Sequence, residues 1–210
     1  DAPNYITKTI EMAKTIHNDN LEDISDTNKV RDILIFVLGA AAVREIMKGM
    51  NEFNAGMSQK SQDSQKTINY IAPIELTGKS FDLSGIDYQN LFSDINNIVI
   101  PIYKMEGGKI STTIEKWVKP SRRIIVATNI AETGITIETL KYCIDTGFVN
   151  SSEFNSDYGV EILMGKNVTQ GMAIQRKGRV GRKAPGYWFP CYTKKTFESL
   201  LEKQLADMLN

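Results

Sequence analysis

The sequence predicts an α/β fold, with helices flanking a mostly parallel β-sheet, and three observations predict it. The run Asp32 to Leu38 is β-branched and aromatic without alternation, as a strand covered on both faces must be, and Arg122 to Ala127 and Tyr142 to Asp145 read as further strands. Segments with apolar residues at helical spacing fall between strands, giving crossovers long enough for parallel pairing. A chain of 210 residues, 41% hydrophobic and 24% charged, can bury one such core.

In chain order, Ile6, Ile10, Ala13 and Ile16 follow Pro3 at helical spacing and predict a helix over 5–17. A polar connection, 18–29, leads to the strand Asp32 to Leu38, which stops at Gly39. Val43, Ile46, Met47, Met50 and Phe53 then share one face of a helix. Residues 54–66, rich in Gly, Ser, Gln, Asp and Lys, read as an exposed loop. Ile68 to Leu76 is a short strand interrupted by Pro73. Next comes Thr77-Gly78-Lys79-Ser80, which matches the tail of a phosphate-binding P-loop. The full pattern needs glycine five residues before Gly78, where Pro73 stands without an N–H to offer a phosphate, so the tetrapeptide reads as a surface turn.

A helix is predicted over 86–95 and a buried strand over Ile98 to Tyr103, at an edge or bulge because of Pro101. Ile110, Ile114, Trp117 and Val118 would share a helical face, so Lys109 to Val118 is read as a helix closed by Pro120. Beyond Asp145 the pattern changes. Phe148 to Phe154 and Val160 to Met164 flank the turn-forming stretch 155–159 and predict a β-hairpin. Thr169 is placed to cap a helix, Gly186 to Tyr192 reads as a last strand, and Lys194 to Leu209 as a closing helix.

Twenty-five Lys and Arg balance twenty-five Asp and Glu, so the chain is not a general polyanion binder and any nucleic-acid contact must come from a local groove. Cys143 and Cys191 lack metal-ligand spacing and lie in apolar contexts, and read as buried free thiols of a reducing compartment. With His17 the sole histidine, no metal site is expected. No apolar run approaches the ~18 residues of a membrane span, and the acidic start is not a signal peptide. The two ends read as those of a piece of a longer chain.

The densest stretch is Gln175-Arg176-Lys177-Gly178-Arg179-Val180-Gly181-Arg182. On a helix, arginines three residues apart lie roughly along one side, and their planar forks grip phosphate oxygens in pairs. Gly178 and Gly181 cost a helix roughly 1 kcal/mol each relative to alanine while admitting close backbone approach. By composition alone, a solvated basic helix end explains the stretch equally well. A second dense segment, Ala127 to Ile137, carries hydroxyls, an amide and a carboxylate directly after a strand.

Gln175 to Arg182 resembles motif VI of superfamily 2 helicases, Q-R-x-G-R-x-G-R, and Ala127 to Ile137 resembles motif V in its DEAH form, A-T-N-I-A-E-T-S-x-T-I. Lys141 to Val149 is similar to the DEAH continuation around Y-V-I-D-x-G-F-V, and Asp32 to Gly39 to motif IV, so the resemblance runs from about Tyr5 to the end. The wording of motif VI is similar to that of poxvirus-type RNA helicases.

This resemblance implies a RecA-like, three-layer domain with a protruding hairpin, Phe148 to Met164, that abuts the duplex fork. It would be the second of two motor domains that clamp ATP or another NTP between them. The first, whose motifs I and II hold the phosphates and Mg2+, lies outside 1–210, so the isolated domain is expected to be inactive. Gln175, Arg179 and Arg182 match catalytic positions: the arginines as fingers at the γ-phosphate, the glutamine orienting water. Arg176 matches a position that packs or forms a salt bridge. Gly134, Thr136 and Glu138 match positions near the nucleotide, Glu138 standing where the pattern usually has aspartate. Trp117 falls near an aromatic that faces adenine, with core packing as the alternative. Thr128, Asn129 and Gly39 match positions facing the backbone of single-stranded RNA or DNA, with a strand-end turn the alternative for the first two.

Departures are Gly134 for serine, Leu38-Gly39-Ala40 for threonine-glycine-glutamine, and a 54–97 region longer than the family pattern. The implied function is an NTP-dependent RNA helicase with no membrane association, in the cytoplasm of a virus-infected cell, the virion or the nucleus. A nucleic-acid-binding or scaffold module of an inactive relative, and a DNA translocase, are the alternatives.

Overall fold

The structure is a computed structural model that describes residues 2–25, 29–61, 67–78, 86–155 and 159–202. Its centre is a sheet of five strands, all parallel: β1 (Asp32–Phe36), β2 (Ile71–Leu76), β5 (Arg122–Ala127), β6 (Leu140–Asp145) and β9 (Tyr187–Pro190). Their order is β2-β5-β1-β6-β9, and every residue of β1 and β5 is buried. The absence of alternation noted in β1 has its cause here, since each face is covered by a different layer.

On one face, Ala13 and Ile16 of α1 (Ala2–Asp19) and Val43, Ile46 and Met50 of α2 (Ala40–Ser61) pack on Ile33, Ile35, Val126 and Ile144. On the other, Leu91 of α3 (Ile86–Phe92) joins Ile135 and Ile137, in the segment after β5, on Leu34, Phe36, Ile125 and Cys143. Pro73 sits within β2, opposite Ile124, and is tolerated because β2 is an edge strand.

Several expectations change. Helix α2 continues through 54–61, read as a loop from its polar composition. The reason is Asn54, which is buried and both donates to the Ile71 carbonyl (2.9 Å) and accepts from the Ile71 N–H (3.1 Å), tying α2 to the start of β2. The remainder of that predicted loop, 62–66, lies outside the described residues, as do Lys79 and Ser80 of the P-loop-like tetrapeptide.

Lys109–Val118 is not a helix but strand β4, paired antiparallel with β3 (Ile100–Glu106) in a ribbon separate from the main sheet. Gly107 and Gly108 both take positive φ (57° and 75°), as a tight hairpin turn requires. Ser111-Thr112-Thr113-Ile114 favours extended backbone, and Ile100 and Ile102 bury the inner face against Ile95 and Ile98.

The second ribbon, β7 (Phe148–Asn155) with β8 (Val160–Asn167), is the predicted hairpin, and residues 156–158 of its turn lie outside the described set. Val160, Ile162, Leu163 and Met164 are all exposed, so the ribbon protrudes. Helix α4 (Gln170–Lys177) starts at Thr169, whose hydroxyl accepts from the Met172 N–H at 3.2 Å. Helix α5 spans Lys194–Ser199, shorter than predicted, and 203–210 lie outside the described residues. Cys143 is buried as expected, but Cys191 is exposed.

Candidate functional site

In a parallel sheet all C-terminal strand ends lie on one edge, where ligands of open α/β folds bind. Gly39 follows β1, Thr128 and Asn129 follow the neighbouring β5, and Thr146-Gly147 follows β6. After β5 the chain makes one short 3-10 turn, Asn129–Glu132, and then runs to Thr139 with alternating burial. Ile135 and Ile137 point into the core; Gly134, Thr136 and Glu138 are exposed. Three residues expected near the nucleotide therefore share one side of a short extended segment.

Motif VI lies against that side. Of its three arginines only Arg176 is helical, because α4 ends at Lys177 and the chain turns through Gly178 and Gly181 (φ 80°), so the expectation of one helical row of arginines is corrected. The turn leads each guanidinium to the segment after β5. The Arg176 Nε donates to Glu132 Oε1 at 2.7 Å, the Arg179 Nη1 to the Ile135 carbonyl at 3.1 Å, and the Arg182 Nη1 to Thr136 Oγ1 at 3.0 Å. Lys183 pairs with Glu138. Exposure grows along the series, from fully buried Arg176 through half-buried Arg179 to exposed Arg182, and Gln175 is exposed beside them.

Burial, and then the nearby charge of Arg182, lower the Arg179 pKa from its ordinary value, and its buried Nε has no hydrogen-bond partner among the described residues. Burial raises the pKa of Glu132, against the opposing charge of Arg176.

Thr136 and Glu138 also line a cavity of about 280 Å³, whose other walls include Phe92 and Arg123. Arg123 is held at its back by Asp32, through a 2.9 Å ion pair from Nη1 and a 3.0 Å bond from its backbone N–H. Phe92 is 52% exposed. Trp117 is neither core nor part of this group. It is 61% exposed on β4, in the ribbon that packs on α2, whereas Ile135 and Ile137 cover the opposite face of the sheet.

Of the residues expected to face nucleic acid, Thr128 precedes the 3-10 turn without a side-chain capping bond and Asn129 is exposed. Gly39 has a packing duty as well. A Cβ there would lie 2.5 Å from Asn150 Nδ2, so the side chain of β7 rests directly on the loop after β1.

Sequence reasoning named Arg176 as a packing or ion-pairing residue, which the geometry bears out, but not its partners. Asp145 closes an apolar run, the signal that a buried carboxylate there would require a cation. Phe92 and Arg123 carried no such signal, since their grouping depends on contacts from three separate elements.

These features define a RecA-like helicase motor domain. The chain matches the model of the helicase conserved C-terminal domain over residues 16–184 and belongs to that family. It is 34% identical over 206 residues, 98% of its length, to B962L of African swine fever virus (isolate Tick/South Africa/Pretoriuskop Pr4/1996), named as a candidate RNA helicase. Over 80 residues, 38% of the chain, it is 45% identical to the human ATP-dependent RNA helicase DHX33. The chain spans about 20% of the viral relative and 11% of the human one. The solved structure of the Escherichia coli DExH-box NTPase HrpB shares the fold, with a TM-score of 0.58 at 20% identity over 97% of this chain and 19% of that one. More particularly, the chain is a C-terminal, second RecA-like domain of the DEAH/DExH branch of superfamily 2. Among the described residues no helix is long and apolar enough to cross a membrane.

Proposed function

We propose that this domain is the second motor domain of an NTP-dependent helicase that moves on single-stranded RNA in the cytoplasm of a virus-infected cell. The observation that carries the reading is the set of contacts from motif VI to the segment after β5, which brings Arg179 to the Ile135 carbonyl, Arg182 to Thr136 and Lys183 to Glu138. ATP with Mg2+, held mainly by the first motor domain, supplies the phosphoryl group to be transferred. This chain's own contribution is charge. Arg182, exposed and only lightly held, is free to turn towards a phosphate, and Arg179 adds a second cation beside it. Gln175 would orient the attacking water.

Phe92, rather than Trp117, lines the cavity beside Thr136 and Glu138, which supports it as the aromatic that would meet the base. Thr128 and Asn129, at the neighbouring strand end, would donate to phosphate oxygens without reading bases, so binding would be independent of sequence. Gly39 would let the backbone of the strand come close at the same edge.

The test is RNA-stimulated ATP hydrolysis by the full-length protein, wild type against Arg182→Ala, with nucleotide affinity measured alongside. A rate loss of ~10³ or more at nearly constant affinity is expected of a cation that acts on the transition state. An unaffected variant would make the arginines structural and the domain a binding module. Stimulation by single-stranded DNA but not RNA would make it a DNA translocase.

A further inference from the structure

Arg176 lies at the junction of three parts: motif VI, the turn after β5 and the base of the protruding hairpin. Its guanidinium is fully buried and makes five contacts of note. Nε and Nη2 both reach Glu132 Oε1 at 2.7 Å, in the turn that begins with Asn129. Nη1 reaches Asp145 Oδ1 at 2.7 Å, at the end of β6. Nη2 donates to the Phe148 carbonyl at 3.1 Å, the first residue of the protruding hairpin, and the guanidinium stacks 4.7 Å from the Phe36 ring. Asp145 extends the network by accepting from the Gly147 N–H (2.9 Å) and the Tyr192 hydroxyl (2.8 Å).

A buried ion cluster is weak evidence for stability, because desolvation offsets much of the attraction. What distinguishes this cluster is where its acceptors belong. One sits beside the candidate nucleic-acid contacts Thr128 and Asn129, and one opens the hairpin. The donor itself is the neighbour of Gln175 and three residues from Arg179. A planar fork with fixed donor directions can hold three acceptors in register; a flexible point charge cannot.

We propose that Arg176 is a positioning residue that keeps the hairpin base and the turn after β5 in register with the nucleotide-facing residues of motif VI, so that nucleotide binding and single-strand binding bias one another. The inference rests on the reading of the domain as a helicase motor. Because such coupling is a free energy, it is reciprocal, and it is read as the factor by which one ligand changes the affinity for the other.

The experiment uses the full-length protein and measures its dissociation constant for a mixed-sequence single-stranded RNA, with and without a saturating non-hydrolysable ATP analogue. In the wild type the analogue is expected to change the RNA constant about tenfold or more, within the usual range of such couplings. In Arg176→Lys, which keeps the charge but not the fork, the factor is expected to fall to within about twofold of unity, with each ligand alone bound nearly as before. Glu132→Ala removes the acceptor that Nε and Nη2 share and carries the same expectation, so a poorly folding Arg176→Lys does not end the test.

A folded variant with the wild-type coupling factor overturns the proposal. So does a wild type that binds both ligands without coupling, which leaves the functional reading standing. A wild type that binds neither overturns the functional reading, and this inference with it.

Discussion

His17 shows what burial does to a single side chain. It is 1% exposed, its Nε2 lies 2.8 Å from the Asn69 carbonyl and so carries the proton, and its ring meets Phe53 edge-on at 5.9 Å. Burial first, and the Arg122 charge second, lower its pKa to about 4. The folded state therefore holds the imidazole neutral, while the unfolded chain takes up a proton near pH 6.5. The stability linked to this residue is complete above about pH 6.5 and declines as the pH falls towards 4, by on the order of 3 kcal/mol in total. Urea midpoints followed from pH 7 to 5 should fall in the wild type and flatten in His17→Gln, which retains an N–H for Asn69; equal slopes would mean that the ring is already charged when folded. The sequence showed that this histidine was the sole one. Its carbonyl partner, 52 residues away, was beyond the reach of any local pattern.

At the scale of elements, β1 was legible because a strand covered on both faces loses the apolar–polar alternation, β5 and β6 because short apolar runs stand between other elements, and the β7–β8 hairpin because turn residues separate its two runs. The β3–β4 ribbon was misread through a coincidence of spacing. Ile110, Ile114, Trp117 and Val118 fit a helical face, yet the Gly107-Gly108 pair before them is a stronger hairpin signal than four apolar positions are a helical one. In α2 the error ran the other way, since polar residues that suggested a loop lie on a helix tied to β2 by Asn54. Two substitutions separate these possibilities. Gly56 lies inside α2 with open space where a Cβ would go, so Gly56→Ala should stabilise the chain by roughly 0.5–1 kcal/mol. Asn54→Ala should cost about 1–3 kcal/mol by leaving the Ile71 backbone groups unsatisfied. If 54–61 were a loop, neither shift would be seen in the urea midpoint.

Across the whole molecule, a formal net charge of zero is reconciled with the proposed phosphate chemistry by where the charges lie. Arg122, Arg123 and Arg176 are spent inside the fold on Asp23, Asp32, Glu132 and Asp145, while Arg182 is left exposed on the edge where the parallel strands end. The motifs made the candidate arginines and the strand-end residues nameable from sequence, since each is a continuous stretch. The cavity beside them was not, because Phe92, Arg123 and Thr136 meet only after α3, β5 and the following segment pack together. That assembly yields a test at the same scale. A base stacked on an aromatic ring gains about 1–3 kcal/mol, equally in the ground and transition states. In the full-length protein, Phe92→Ala should therefore raise the KM for ATP roughly 5- to 150-fold with kcat nearly unchanged, and Trp117→Ala should alter neither. The reverse result, a KM effect from Trp117 and none from Phe92, would require the β3–β4 ribbon to reach the nucleotide from the far face of the sheet, and the 280 Å³ cavity would lose its assignment.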